Sequence, residues 1–168
     1  MSFPRSASTV RPWLTLLVLV AGPLAAQTPS PLNGTWKLNL AKSSYSPANL
    51  APKSGTTKYT VTATTFAAIT DGIDSQGRAT HSEYTAKCDG TDAPWKGTRD
   101  GQPNTDQDAV SVKCMDAHTF HVVNKSKGKA LTTVHIVVAA DGKTRTSTVT
   151  GTNAQGVTVK ATVVYDKQ

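Results

Sequence analysis

Polar and apolar residues alternate with a period of two along most of this chain, and the last third is punctuated at even intervals. Gly128, Gly142 and Gly156 stand fourteen residues apart, inside the polar stretches SKGK, ADGK and NAQG. Between them run TFHVVNK, ALTTVHIVVA, KTRTSTVTGT and VTVKATVVYD, rich in the Val, Ile, Thr and Tyr of half-buried strands. Fourteen residues make a long strand plus a tight turn, and long strands joined in order by tight turns make a meander able to close into a barrel. A three-residue loop at Ser126-Lys127-Gly128 aligns Phe120 and Val122 with Val134, Ile136 and Val138. A two-residue Asp141-Gly142 turn carries that face to Arg145, Ser147 and Val149. A loop ending in Gly156 carries it on to Val159, Ala161, Val163 and Tyr165. The opposite face receives Thr144, Thr146, Thr148, Thr150, Lys160 and Thr162, as solvent requires.

The pattern extends towards the N-terminus. Trp36 and Leu38 alternate with Lys37 and Asn39 in a first strand whose core residue is Trp36. Ala41 to Ser54 holds two prolines and many small polar residues, and predicts a long loop or lid with at most one helical turn near Pro47 to Leu50. Tyr59, Val61 and Ala63 alternate with Lys58, Thr60 and Thr62. With Gly77 left-handed in a Ser75-Gln76-Gly77 loop, Phe66, Ala68 and Thr70 share a face with Ser82, Tyr84 and Ala86. Pro94 predicts a short or edge strand over Thr91 to Gly97 that holds Trp95. Thr98 to Gln107 reads as a polar loop, and Val110, Val112 and Cys114 share a face of the next strand. About ten strands and essentially no helix result: an all-β, up-and-down antiparallel meander.

The first residues do not fit this scheme. Arg5 and Arg11 precede an apolar run, Trp13 to Ala21, and a small-residue stretch ends at Ala26, the arrangement of a secretory signal peptide over residues 1–26. The run is shorter than the ~20 residues that span a bilayer, so no membrane span is expected after cleavage. The expected domains are this leader, a flexible tail over 27–31 and one barrel over 32–168, located in the periplasm or secreted. Removing the leader takes two of the 18 basic residues and none of the 11 acids, so the mature charge is 16 − 11 = +5. These charges are scattered among Thr and Ser or set in turns, and no basic run interleaved with aromatics appears. Nucleic-acid binding is thereby disfavoured. Cys88 and Cys114 each close a strand before a turn; an even pair in an exported chain is first read as a disulfide, with two buried thiols as the alternative.

Candidate chemistry is sparse. The available imidazoles are His81, His118, His121 and His135; His121 and His135 fall on the outer face, and no spaced carboxylate orients either of those two. Glu83 is the one glutamate, and the ten aspartates fall mostly in turns. Paired carboxylates for acid–base catalysis are not in view, nor is a nucleophile elbow, P-loop or dinucleotide fingerprint. Asp71-Gly72-Ile73-Asp74 offers too few oxygens for calcium and reads as a turn-flanking pair. Neither a metal nor a cofactor is expected, and the chain reads as a non-enzyme. The one site worth singling out is Arg145, which the register sets on the inner face beside Tyr165. A guanidinium there can grip a carboxylate; the alternative is that it snorkels out at the barrel rim.

Gly34-Thr35-Trp36-Lys37-Leu38 resembles the opening of the calycins, the lipocalins and fatty-acid-binding proteins, and GTWKL is closest to the intracellular fatty-acid-binding branch. The chain also resembles a set of small exported bacterial proteins of unassigned function that share GTWKLN, a DG…D-x-x-G hairpin and a terminal VYDKQ. The resemblance implies a ten-stranded calycin-like β-barrel, a lid after the first strand, and a small apolar or amphiphilic ligand inside. It departs where fatty-acid-binding proteins place an Arg two residues before a Tyr on the last strand, since Val163 stands there. The basic residue that packs on the first-strand Trp of lipocalins is matched by Lys167. The expected function is therefore a monomeric barrel binding a small hydrophobic or amphiphilic molecule with an acidic head. Arg145 and Tyr165 would mark one end, and Trp36, Tyr59, Phe66, Tyr84, Phe120, Val122, Ile136, Val149 and Val163 would line the tail. The alternative is a structural or protein-interaction barrel of the cell envelope with a filled core.

Overall fold

The computed structural model describes residues 29–168, so the expected leader and the first residues of the tail lie outside the described residues. The strands are β1 (Gly34–Ser46), β2 (Ser54–Val61), β3 (Thr65–Ile73), β4 (Ala79–Lys87), β5 (Asp89–Arg99) and β6 (Gln102–Pro103), followed by β7 (Ala109–Cys114), β8 (Thr119–Ser126), β9 (Lys129–Val138), β10 (Thr144–Thr152) and β11 (Thr158–Lys167). A 3-10 turn, Ala48–Leu50, is the only helical element among the described residues. Every neighbouring pair is antiparallel. Each strand pairs with the next in chain order, β5 passing on to β7, and β1 pairs with β11 to close the ring; β6 is a two-residue flap on β5. Ten strands thus close into an up-and-down, calycin-like barrel.

The side-chain faces follow the period-two pattern. Phe66 pairs with Ala86, Ala68 with Tyr84 and Thr70 with Ser82. Phe120 pairs with Ile136, Val122 with Val134, Ser147 with Ile136 and Arg145 with both Val138 and Tyr165. Gly77 and Gly156 take the expected positive φ, 90° and 80°. The turn after β8 has two residues, Lys127 and Gly128, and a bulge between Asn124 and Lys125 restores the inner face that a three-residue loop would have kept.

Two expectations about the strands are corrected. The segment 41–46 is strand, not lid, because β11 needs a partner along its whole length. A bulge between Asn39 and Ser44 accommodates it, and Ser43 Oγ fills the gap in the ladder by accepting from Val164 N–H (3.0 Å) and donating to Asn39 C=O (2.7 Å). The strand holding Trp95 is eleven residues long and paired on both sides. Pro94 is tolerated there because the β4 ladder ends one residue earlier, at Tyr84–Trp95, so its missing N–H costs no bond.

The two ends differ. At one, the segment entering β1 crosses the opening: Leu32 and Trp36 are fully buried, and Trp36 Nε1–H donates to Leu32 C=O (2.7 Å). Asn33 exchanges bonds with the Val61 backbone, Ser30 reaches Ala117, and Lys167 Nζ donates to Pro31 C=O (2.9 Å) while standing 5.2 Å from the Trp36 ring centre. Phe66 and Phe120 pack against each other above this plug, with centroids 5.5 Å apart. Cys88 and Cys114 form a disulfide at the same end, joining the end of β4 to β7. Trp36→Ala should therefore lower stability by about 3–5 kcal/mol, read as a fall in melting temperature on the order of 10 °C; a melt unchanged from the parent would contradict this role.

Candidate functional site

Above the plug the interior is open, a cavity of about 300 Å³. One wall is aliphatic: Val122 from β8, Val134 and Ile136 from β9, Val149 from β10 and Val163 from β11. The facing wall carries hydroxyls, because Thr57, Thr70 and Ser82 occupy one cross-strand row on β2, β3 and β4. Thr70 Oγ1 donates to Thr57 Oγ1 (3.2 Å). Tyr59, Tyr84 and Trp95 form the next row down, each paired across the ladder or one strand removed.

Arg145 and Tyr165 sit together at the base of this cavity. The guanidinium lies 3.5 Å above the Tyr165 ring centre, 5.0 Å from that of Tyr59 and 5.9 Å from that of Trp36. Its residue is 2% exposed, so it does not snorkel out. The reason lies in the plug: Leu32 and Trp36 occupy the opening beside the Asp141-Gly142 turn, which leaves the cavity as the direction open to a long cation. Arg145 Nη1 donates to Ser147 Oγ (2.7 Å), its Nε has no partner, and no carboxylate pairs with it among the described residues. A buried cation without a counter-ion is costly. Three aromatic faces offset part of that through cation–π attraction, and the remaining donors are available to an anion.

The tyrosines reflect the same surroundings. Burial pushes the Tyr59 and Tyr84 phenols up, and the nearby Arg145 charge only partly opposes this. Burial, followed by the neighbouring Tyr165, pushes Tyr45 up to about 12.

The expected lining residues separate into two groups. Tyr59, Tyr84, Ile136, Arg145 and Tyr165 border the cavity, as do Val122, Val149 and Val163. Trp36, Phe66 and Phe120 do not: they fill the closed end below it, so the expectation that they line a ligand's tail is corrected to a role in packing. Thr57, Thr70, Ser82, Ser147, Gln107 and Asn124 were not among the expected site residues. All but Gln107 were within reach of strand alternation, standing two positions from Tyr59, Ala68, Tyr84, Arg145 and Val122; small polar residues carry no hydropathy signal for burial. Gln107 comes from the irregular segment after β6, where no period operates. Its Nε2 donates to Asn124 Oδ1 (3.0 Å), and Asn124 Nδ2 donates to Thr132 Oγ1 (3.0 Å), forming an amide bridge at the cavity's upper edge.

The histidines stand elsewhere. His81 Nδ1 meets Asp71 Oδ1 at 2.7 Å on the outer face, and His121 and His135 form an outward cross-strand pair. Asp74 caps the β3–β4 hairpin by accepting from Gln76 and Arg78, so the Asp71–Asp74 stretch serves a turn and an outer pair.

No protein-family model and no curated protein matches the chain. Among solved structures, a redesigned beta barrel, mFAP1, bound to DFHBI is similar with a TM-score of 0.44 and 14% identity over 83% of this chain and 100% of its own. A second redesigned barrel, mFAP0, also bound to DFHBI, gives 0.40 and 15% over 82% and 99%. EF1p2_mFAP2b bound to DFHBI gives 0.43 and 12% over 82% and 94%.

Two measurements check this description. If Arg145 is held for a ligand at the expense of stability, Arg145→Met should fold and melt at or above the parent's temperature, a gain of about 1–4 kcal/mol being usual when a buried ionic group gives way to a matching apolar one. A loss of several kcal/mol would mark the guanidinium as structural. A tyrosinate absorbance titration of the folded protein should show Tyr45, Tyr59 and Tyr84 still protonated above pH 10. Their folded values exceed the unfolded one, so this stability is fully present below pH 10 and declines as pH rises past it.

Proposed function

We propose that this protein is an exported, monomeric, non-enzymatic barrel that binds a small amphiphilic acid inside, with the anionic group on Arg145. The observation that carries the reading is the buried guanidinium that faces a cavity and has no carboxylate of its own. Ser147 orients it, and the face of the Tyr165 ring lies 3.5 Å from it. The two walls refine the ligand class. A head-to-tail fatty acid would need a long apolar channel, whereas an aliphatic wall opposite a hydroxyl row favours a compact molecule with one apolar face and one polar face. The volume of about 300 Å³ lies at the small end of ligand pockets. Binding rather than catalysis is favoured because none of the four histidines, nor Glu83, borders the cavity. Export is supported by the Cys88–Cys114 disulfide, a bond that persists in oxidising compartments. Among the described residues no helix is long and apolar enough to cross a membrane.

The test pairs acids with neutral analogues. Arylalkyl and medium-chain carboxylates and their primary amides are titrated by calorimetry into the parent and into Arg145→Ala. A charge-assisted bond contributes roughly 1.5–3 kcal/mol, so the variant should bind the acids about ten- to hundredfold more weakly and the amides almost unchanged. Equal losses for both would indicate damaged packing. Failure of the parent to bind any of them, with no ligand seen by native mass spectrometry of protein from its own source, would overturn the reading in favour of a structural barrel.

A further inference from the structure

Above the amide bridge the barrel opens into a second, wider chamber of about 610 Å³. The two chambers share three residues, Trp95, Gln107 and Asn124. Trp95 is placed there by an unusual local device. It faces inward on β5, and two residues further along the same face stands Gly97. A Cβ at Gly97 would overlap the six-membered ring of the indole, so the absent side chain is what lets the indole lie flat along the strand. Trp95 is only partly buried, unlike the fully buried Trp36.

The rest of the chamber is built from planar polar groups. Arg78 and Asp74 form an ion pair (2.8 Å), as do Arg99 and Asp106 (3.2 Å), and Arg99 Nε lies 3.7 Å from Asp74. Two cations and two anions cancel, so the chamber selects neither an anion nor a cation. Asn104 and Asn153 use their side-chain oxygens on their own loops, through Asp106 N–H and Val157 N–H, which leaves their NH₂ groups to point elsewhere. Aliphatic side chains are a minority of the lining.

We propose that this outer chamber is a saccharide subsite, with a sugar ring stacked on Trp95. A pyranose has C–H faces that pack on an aromatic plane and neighbouring hydroxyls that each donate and accept. A flat indole ringed by amide, carboxylate and guanidinium edges matches both, and the cancelled charge matches a neutral ring. A free anion would find the guanidiniums of Arg78 and Arg99 already paired. The subsite does not depend on the acid-binding reading, because the Gln107–Asn124 bridge separates it from Arg145.

The test uses methyl glycosides of glucose, galactose, mannose and N-acetylglucosamine, titrated into ¹⁵N-labelled protein. At least one should shift the Trp95 indole N–H saturably and leave that of Trp36, bonded to Leu32, in place. Trp95→Ala should weaken that glycoside about tenfold by calorimetry, and Gly97→Val, which keeps the indole but displaces it, should do the same. Arg145→Ala should leave it unchanged, so this inference and the acid-binding reading fail separately. Should Gly97→Val not fold, Trp95→Phe takes its place and must retain most of the affinity that Trp95→Ala loses. No shift of Trp95 with any glycoside up to its solubility, or full affinity in Trp95→Ala, overturns the proposal.

Discussion

A meander of ten strands has two free edges, its first and last strands, and β1 and β11 remove both by pairing with each other. Trp36 to Asn39 meets Val164 to Lys167, Ser44 to Ser46 meets Lys160 to Thr162, and the rest of the architecture depends on that seam. An open sheet of this length would present unpaired N–H and C=O groups along two strands and invite pairing between chains. Closure gives each strand two neighbours and creates an inside. The disulfide stands elsewhere: it ties the end of β4 to β7 at the plugged end, where β5 begins with a bulge and pairs less regularly.

Once an inside exists, alternation decides which residues enter it, and the chain uses the two kinds of cation differently. Arg78, Arg99 and Arg145 are the three arginines of the described residues, and all border one of the two chambers. No lysine borders either. This division has a physical basis. An ammonium is a compact, strongly hydrated charge that resists leaving water, whereas a guanidinium is less hydrated, lies flat against rings and offers donors in a fixed fork. The thirteen lysines accordingly stay off the chamber walls, Lys167 packing on the plug instead.

Most of the fold was legible in the sequence because its signals are local. Alternation places Phe120 opposite Ile136 and Arg145 opposite Tyr165, and the glycines at 77 and 156 set their loop lengths. What alternation could not reveal was how far strands continue. Asn39 to Ser44 carries no apolar pattern, since its bulge is held by Ser43 standing in for backbone, a substitution invisible to hydropathy. Pro94 was read as a breaker because its tolerance depends on where the neighbouring ladder stops, which is a tertiary fact. The candidate site was half legible: its apolar and charged members follow the period, and the period also turns Thr70 and Ser82 inward, but small hydroxyls carry no signal of lining a cavity until closure sets them in one row with Thr57. Trp36, Phe66 and Phe120 were correctly inward but could not be assigned a depth, since the crossing of Leu32 beneath the barrel has no signature in strand period.

That crossing determines what the interior can do. With Leu32 and Trp36 in one opening and the aromatic pair above them, the barrel is a blind pit instead of a pore. A molecule reaching Arg145 enters past Trp95 and the Gln107–Asn124 bridge, so the two chambers lie in series. The closed half is packed as a core and carries the apolar burial that holds the barrel together. The open half can then accommodate an unpaired guanidinium and a row of hydroxyls, groups that a uniformly packed core would exclude. Separating the two along the barrel axis leaves one end packed for stability and the other free to carry polar groups. The cost is concentrated in one residue, Arg145, whose burial no carboxylate offsets among the described residues and three aromatic faces offset only in part.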